Sequence, residues 1–246
     1  MEQETEKWFK NWFDSKYYHL LYSNRDQDEA AYFIDNVFEK LQPPVPSKVL
    51  DVACGKGRHA IHVHSFGHVV HGIDLSEQSI ADAKQHESNK LHFAVHDMRE
   101  VYMPATFDIC LNLFTSFGYF MKEEENQQSI TAMSKNLKKN GKLVLDYLNV
   151  DKALDSIPTQ ENKRVDEVDF LIKKEEWNGF IRKSISFNCS GVSKKYYEYV
   201  KIIRKEAFYT YFSQAGLKVK EVYGNYSLDK FEPANSDRLI FIAEKI

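Results

Sequence analysis

The chain has 246 residues, with 33 Lys and Arg against 36 Asp and Glu and a net charge of −3. That length allows one large domain with room for an inserted cap, and the lack of a basic surplus argues against a protein built chiefly to neutralise nucleic-acid phosphates. No apolar run reaches the ~18 residues that cross a bilayer, the polar start has no signal-peptide pattern, and Cys54, Cys110 and Cys189 are too scattered for a disulfide framework. The expected location is the cytoplasm, with no membrane partner.

In chain order, residues 6–41 carry apolar and aromatic residues at helical spacing, including Trp8, Phe9, Trp12, Phe13, Ile34 and Phe38. Pro43, Pro44 and Pro46 end that run. Short apolar runs then alternate with amphipathic stretches, the pattern of a parallel sheet with helical crossovers. Strands are predicted at 48–52, 68–73, 91–95, 107–113 and 142–147. Helices are predicted over 58–65, from an N-cap at Ser76 to about residue 86, and over 124–137. Asn140-Gly141 should close the last of these.

Residues 163–204 lose the helical period and alternate apolar with polar positions, with Asn178-Gly179 as a hairpin turn. Three antiparallel strands are predicted there, then a helix over 205–214 ended by Gly216, and strands at 217–223 and 238–243. The expected fold class is α/β: a Rossmann-like, doubly wound, mostly parallel seven-stranded sheet with an antiparallel C-terminal hairpin and an inserted antiparallel β cap. Its expected parts are an N-terminal helical lid (1–44), a core (45–150 and 205–246) and the cap (160–204).

The first strand runs into Asp51-Val52-Ala53-Cys54-Gly55-Lys56-Gly57-Arg58. Small residues there let a ligand approach the backbone, and the following helix offers free N–H groups. Seventeen residues after Gly57 the second strand ends at Asp74-Leu75, where a carboxylate can accept both hydroxyls of a ribose. The third strand ends at Asp97-Met98, where a second carboxylate can accept from an adenine amino group.

Val49 to Gly57, Asp74, Asp97-Met98 and the fourth strand Phe107-Asp108-Ile109-Cys110-Leu111-Asn112 resemble, in order and spacing, the motifs of class I S-adenosylmethionine-dependent methyltransferases. The resemblance spans roughly residues 45–150, with Ala53 in place of the usual first glycine. It implies S-adenosylmethionine as cofactor, Asp51 ordering the loop near its methionine part, Asp74 on the ribose, and Asp97 with Met98 on the adenine. It also places Ala53, Cys54, Gly55, Gly57, Arg58, Leu75, Asn112 and Phe114 around the cofactor. The segment Tyr17 to Arg25 is similar to the leading helix of small-molecule members, which makes Tyr18, Tyr22 and Arg25 lid residues, with Arg25 or Arg58 facing the cofactor carboxylate.

No catalytic residue is singled out, because an in-line displacement from a sulfonium needs alignment more than acid–base chemistry. Tyr119, Asp146, Tyr147 and Asn149 follow the fourth and fifth strands and are the candidates near the reaction centre. The expected partner is a small-molecule acceptor. The segment 112–119 lacks the N-P-P-Y pattern of base-amino methylation, so no DNA is expected. Nine Lys or Arg against three Glu over 173–205 would suit an acidic acceptor or line a solvent face. The alternatives are an RNA methyltransferase, an NAD(P)-dependent oxidoreductase and an inactive nucleoside-binding module. Gly55-Lys56-Gly57-Arg58-His59-Ala60 fits G-x-G-x-x-A, but Asp51 stands within the first strand, where dinucleotide binders keep an apolar residue. The histidines, such as His59 and His62, lack H-E-x-x-H spacing, so no metal is expected.

Overall fold

A computed structural model describes residues 8–22, 27–189 and 191–246. The N-terminal helical run is three helices, α1 (Trp8–Phe13), α2 (Lys16–Leu21) and α3 (Gln27–Leu41). The predicted continuous helix breaks at Asp14-Ser15 because the Ser15 hydroxyl accepts the Tyr18 backbone N–H and starts a new helix.

β1 (Lys48–Val52), β2 (Val69–Asp74), β3 (Leu91–Val95), β4 (Phe107–Asn112) and β5 (Leu137–Leu148) are parallel and lie in the order 5-4-1-2-3. They are connected by α4 (Arg58–Ser65) after β1, α5 (Glu77–Ala83) after β2 and α6 (Glu123–Asn136) after β4. Ser76 caps α5 as expected, accepting the Ser79 N–H at 3.0 Å. α7 (Val150–Asp155), which has no forecast, follows β5. β5 starts five residues before its predicted position. Asn140, at φ +64, and Gly141 are absorbed as an irregularity between the pairs Phe107↔Leu137 and Ile109↔Lys142. A Cβ on Gly141 would stand 2.9 Å from the Lys138 carbonyl oxygen, so this close approach requires glycine.

A second sheet of four antiparallel strands forms the insertion: β6 (Thr159–Val165), β7 (Val168–Trp177), β8 (Phe180–Cys189) and β9 (Val192–Lys201). The extra strand relative to the sequence reading is β6, an edge strand exposed at every position except Val165, so no alternation marks it. The Asn178-Gly179 hairpin is present, with φ +48 and +78. After α8 (Lys205–Gln214), β10 (Leu217–Tyr223) and β11 (Arg238–Lys245) complete the main sheet, β11 antiparallel to both β5 and β10.

Alternation along the central strands sends Leu50 and Val52 to one face, against Ile130, Met133, Phe208 and Phe212. Val49 and Val70 go to the other face, against Phe33, Val37, Val63 and Ile80. Phe33 and Val37 belong to α3, so residues 27–41 wall the core, and only α1 and α2 remain for the expected lid. These two short helices pack Trp8, Trp12, Tyr17 and Leu21 onto Phe170, Ile185, Phe187 and Tyr199 of the cap. Burial of such large apolar side chains contributes roughly 1.5–3 kcal/mol each. α1, α2 and the second sheet thus share one hydrophobic cluster.

Candidate active site

Ala53, Gly55 and Gly57 take positive φ (+58, +56, +82), while Cys54 and Lys56 between them do not. This alternation coils the loop after β1 between strand and helix, and its N–H groups are tied down within the fold: Cys54 donates to the Ile73 carbonyl, Gly55 to Asp74 and Gly57 to the Cys54 carbonyl. A Cβ on Gly57 would sit 2.6 Å from the Phe93 ring, whereas one on Gly55 would meet nothing within 4 Å, because Gly55 faces a pocket.

That pocket, of about 460 Å³, runs along the carboxyl ends of β3, β2, β1 and β4, within the roughly 300–1,000 Å³ of small-molecule sites. His96, Asp97 and Met98 form one end. Asp74, Leu75 and Ser76 come next, then Ala53 to Lys56 with Arg58, and Leu113, Phe114 and Ser116 form the other end. Six rings close it: Phe9 and Phe13 from α1, Tyr18 from α2, Tyr22 at its C-cap, and Tyr119 and Phe120 from the loop after β4.

The Asp74 carboxylate accepts the Gly55 N–H and the Ser76 N–H, one on each oxygen and each at 2.8 Å. Each oxygen keeps further acceptor capacity. Burial raises this carboxyl above its ordinary value despite those two bonds. Asp51 lies beneath the loop, fully buried, with Oδ2 unpartnered. Burial, then the charge of Asp74, pushes it up to about 7. Burial also works to raise Asp97, but Arg99, which chelates its carboxylate and bridges to Glu125, holds it below the ordinary value.

The residues fit a nucleoside cofactor. An open glycine, a carboxylate with spare lone pairs and the buried, unpartnered His19 Nε2 of α2 all meet at this pocket. Among the described residues, no group of three or more His, Cys, Asp or Glu is arranged to hold a metal, and no helix is long and apolar enough to cross a membrane.

Ala53, Cys54, Gly55, Arg58, Asp74, Leu75, Asp97, Met98, Phe114, Tyr18 and Tyr22 all line the pocket. Asp51 and Gly57 do not line it; they shape the loop from behind. Asn112 is not brought there either. It is fully buried, and its amide donates to the Val52 carbonyl at 3.1 Å, tying β4 to β1. Arg25 lies outside the described residues. Of the candidates near the reaction centre, Tyr119 lines the pocket, but the other three do not. Asp146 accepts the Phe114 N–H at 2.8 Å, the Tyr147 hydroxyl donates to the Lys201 carbonyl, and the Asn149 amide donates to the Pro233 and Ser236 carbonyls.

None of the nine basic residues of 173–205 lines the pocket. Arg182, Lys183, Lys201 and Arg204 pair with Glu175, Glu198, Glu123 and Asp151. Phe9, Phe13, His19 and Phe120 are pocket residues that sequence reasoning missed. The helical stripe through Phe9 and Phe13 marks a buried face without saying what it covers.

The methyltransferase domain family matches residues 46–216. A Geobacillus sp. (strain WCH70) chain provisionally named a methyltransferase is 24% identical over 96% of this chain and 98% of its own. A dTDP-3-amino-3,4,6-trideoxy-alpha-D-glucopyranose N,N-dimethyltransferase of Streptomyces venezuelae is 31% identical over 52% of this chain and 54% of its own. A glycine/sarcosine N-methyltransferase of Parasynechococcus marenigrum (strain WH8102) is 28% identical over 80% and 71%. Among solved structures, an S-adenosylmethionine-dependent methyltransferase from Clostridium acetobutylicum ATCC 824 superposes with a TM-score of 0.77 at 18% identity, covering 93% of this chain and 96% of the other. This supports the fold. The family match covers well over half the chain, which therefore belongs to the methyltransferase domain family and is an S-adenosylmethionine-dependent enzyme of class I.

Proposed function

We propose that this chain transfers a methyl group from S-adenosylmethionine to the nitrogen of a small amine-bearing molecule, held between the rings of the lid and the loop after β4. The observation that carries the cofactor pose is the Asp74 carboxylate, fastened by two backbone N–H groups at the carboxyl edge of the sheet with acceptor capacity left over. The amine is supported by two relatives whose own names place the methyl group on nitrogen, one an amino sugar and one glycine or sarcosine. It is also supported by an acceptor end walled by rings and free of the cap's basic residues.

In this reading Asp74 takes the ribose hydroxyls, and Asp97 with Met98 takes the adenine. The backbone of 53–55, flanked by Cys54 and Leu75, cradles the chain leading to the sulfur. Arg58, at the first position of α4, meets the amino-acid carboxylate, where the helix N-terminus also favours negative charge. When bound, S-adenosylmethionine supplies a methyl group made electrophilic by a positively charged sulfur. Phe13, Tyr18, Tyr22 and Tyr119 line the site with rings, which attract such a charge through their faces and exclude water. The walls align the acceptor lone pair, and a neutral amine needs no base from the protein. Residues 8–22 and the cap strands act together as the cover of the site.

The test is methyl transfer from radiolabelled S-adenosylmethionine across a panel of amino acids, amino sugars, carboxylates and tRNA. Label should enter small amines. Label confined to RNA or to carboxylates would overturn the acceptor class.

A further inference from the structure

The loop leaving β4 holds two consecutive non-glycine residues in left-handed backbone, Phe114 at φ +59 and Thr115 at φ +57. A bulky aromatic and a β-branched residue both disfavour that region, so something outside the loop must over-determine it. The restraint comes from β5 and β11. Fully buried Asp146 accepts the Phe114 N–H on Oδ2 at 2.8 Å and the Arg238 Nε–H on Oδ1 at 2.8 Å. Arg238 then donates through Nη2 to the Thr115 hydroxyl at 2.8 Å. Tyr226 supports the group from below: its hydroxyl lies 3.4 Å from Asp146 Oδ2, and its ring faces the Arg238 guanidinium at 5.5 Å.

The result is a defined place for one side chain. The Phe114 ring sits between Tyr226, at 5.3 Å, and the Arg58 guanidinium, at 4.1 Å. Asp97 follows β3 and Phe114 follows β4, three strand spacings away along the pocket edge, or roughly 14 Å. A nucleoside lying over β3, β2 and β1 therefore brings its amino-acid chain, and not its base, to Phe114 and Arg58.

We infer that Asp146 and Arg238 are positioning residues for the amino-acid end of the cofactor: they hold Phe114 and Thr115 in the left-handed conformation that sets Phe114 behind Arg58. The inference rests on the cofactor pose proposed above. It differs from a purely structural role, because a general loosening of the fold would weaken every ligand alike.

The experiment measures calorimetric Kd values of two probes for the wild type, Asp146→Asn and Thr115→Val, with a thermal midpoint for each protein. One probe is S-adenosylhomocysteine. The other is 5′-methylthioadenosine, which keeps the nucleoside and the sulfur but lacks the amino-acid chain. Asp146→Asn should weaken S-adenosylhomocysteine about tenfold and Thr115→Val about threefold, as expected for losing hydrogen bonds of a charged pair. Binding of 5′-methylthioadenosine should stay within about twofold, below the effect of one hydrogen bond. Equal weakening of both probes, or of neither, overturns the proposal. If Asp146→Asn does not fold, Thr115→Val, which touches only the loop end of the network, decides by the same split. A wild type that binds neither probe overturns the cofactor pose, and the positioning role with it.

Discussion

Ala53 stands where the resemblance leads one to expect glycine, yet it takes φ +58. An L-residue there costs roughly 1–2 kcal/mol relative to glycine, partly offset by the extra freedom glycine brings to the unfolded chain. Ala53→Gly should therefore raise stability by about 0.5–1 kcal/mol in urea unfolding, a net of those two effects; a loss would mean that the methyl group packs usefully. Asp51 makes a second prediction. Its folded-state value of about 7 stands above the ordinary 3.8, so between about pH 4 and 7 the folded state holds a proton that the unfolded state has released, and stability falls as pH rises through that window. The stability of Asp51→Asn relative to wild type should then grow across the window, by an amount on the order of 2–4 kcal/mol. A pH-independent difference would contradict the raised carboxyl. At this scale the place of Asp74 and Asp97 at the pocket edge was legible in the sequence, because each stands at or just past the end of a strand whose apolar run is easily read. Phe114 was expected around the cofactor and lines the pocket, but the left-handed backbone of Phe114 and Thr115 was not legible. Their backbone is set by Asp146 and Arg238, which pair across 92 residues, and no local pattern announces such a pair.

The hairpin between β7 and β8 was legible because Asn178-Gly179 supplies the two positive φ angles that a two-residue turn needs. Gly179 at φ +78 has nothing within 4 Å of an added Cβ, so Gly179→Ala tests backbone strain alone. It should lower the thermal midpoint by about 2–4 °C per kcal/mol, with about 1 kcal/mol expected, and leave S-adenosylhomocysteine affinity unchanged. A large loss of affinity would mean that the turn itself reaches the site. Elements with a strong period were placed to within a residue or two, α4, α8 and β10 among them. Three features escaped for physical reasons. The Ser15 cap interrupts a continuous apolar stripe, exposed β6 has no alternation to read, and β5 begins before the Asn140-Gly141 signal because the sheet tolerates the irregularity.

At the scale of the whole molecule, the helices α1 and α2 are joined to the second sheet by a largely buried polar knot. Trp12 Nε1 and the Tyr22 hydroxyl both donate to Glu198 Oε1 at 2.7 Å. Lys183 donates to the Tyr22 hydroxyl and lies 3.4 Å from the other Glu198 oxygen. Tyr22 lines the pocket, so the knot reaches the site. Glu198→Ala removes the acceptor for two donors and breaks an ion pair, at a cost on the order of 2–3 kcal/mol. Limited proteolysis should then cut the N-terminal helices faster and S-adenosylhomocysteine should dissociate sooner; unchanged rates would mean that the apolar cluster alone holds the lid. No reading of the sequence could have joined Trp12 to Glu198, which are 186 positions apart. The doubly wound sheet was legible because its alternation of strands and helices repeats at every step.

In the proposed pose an adenosyl group lies across the ends of β1, β2 and β3 with its ribose on Asp74. Isothermal titration of S-adenosylhomocysteine into wild type and Asp74→Ala decides it. The wild type should bind saturably and the variant about a hundredfold or more weaker, the effect of removing two charged hydrogen bonds, with both proteins folded by circular dichroism. Equal affinity in the two proteins, or no binding to the wild type, would contradict it.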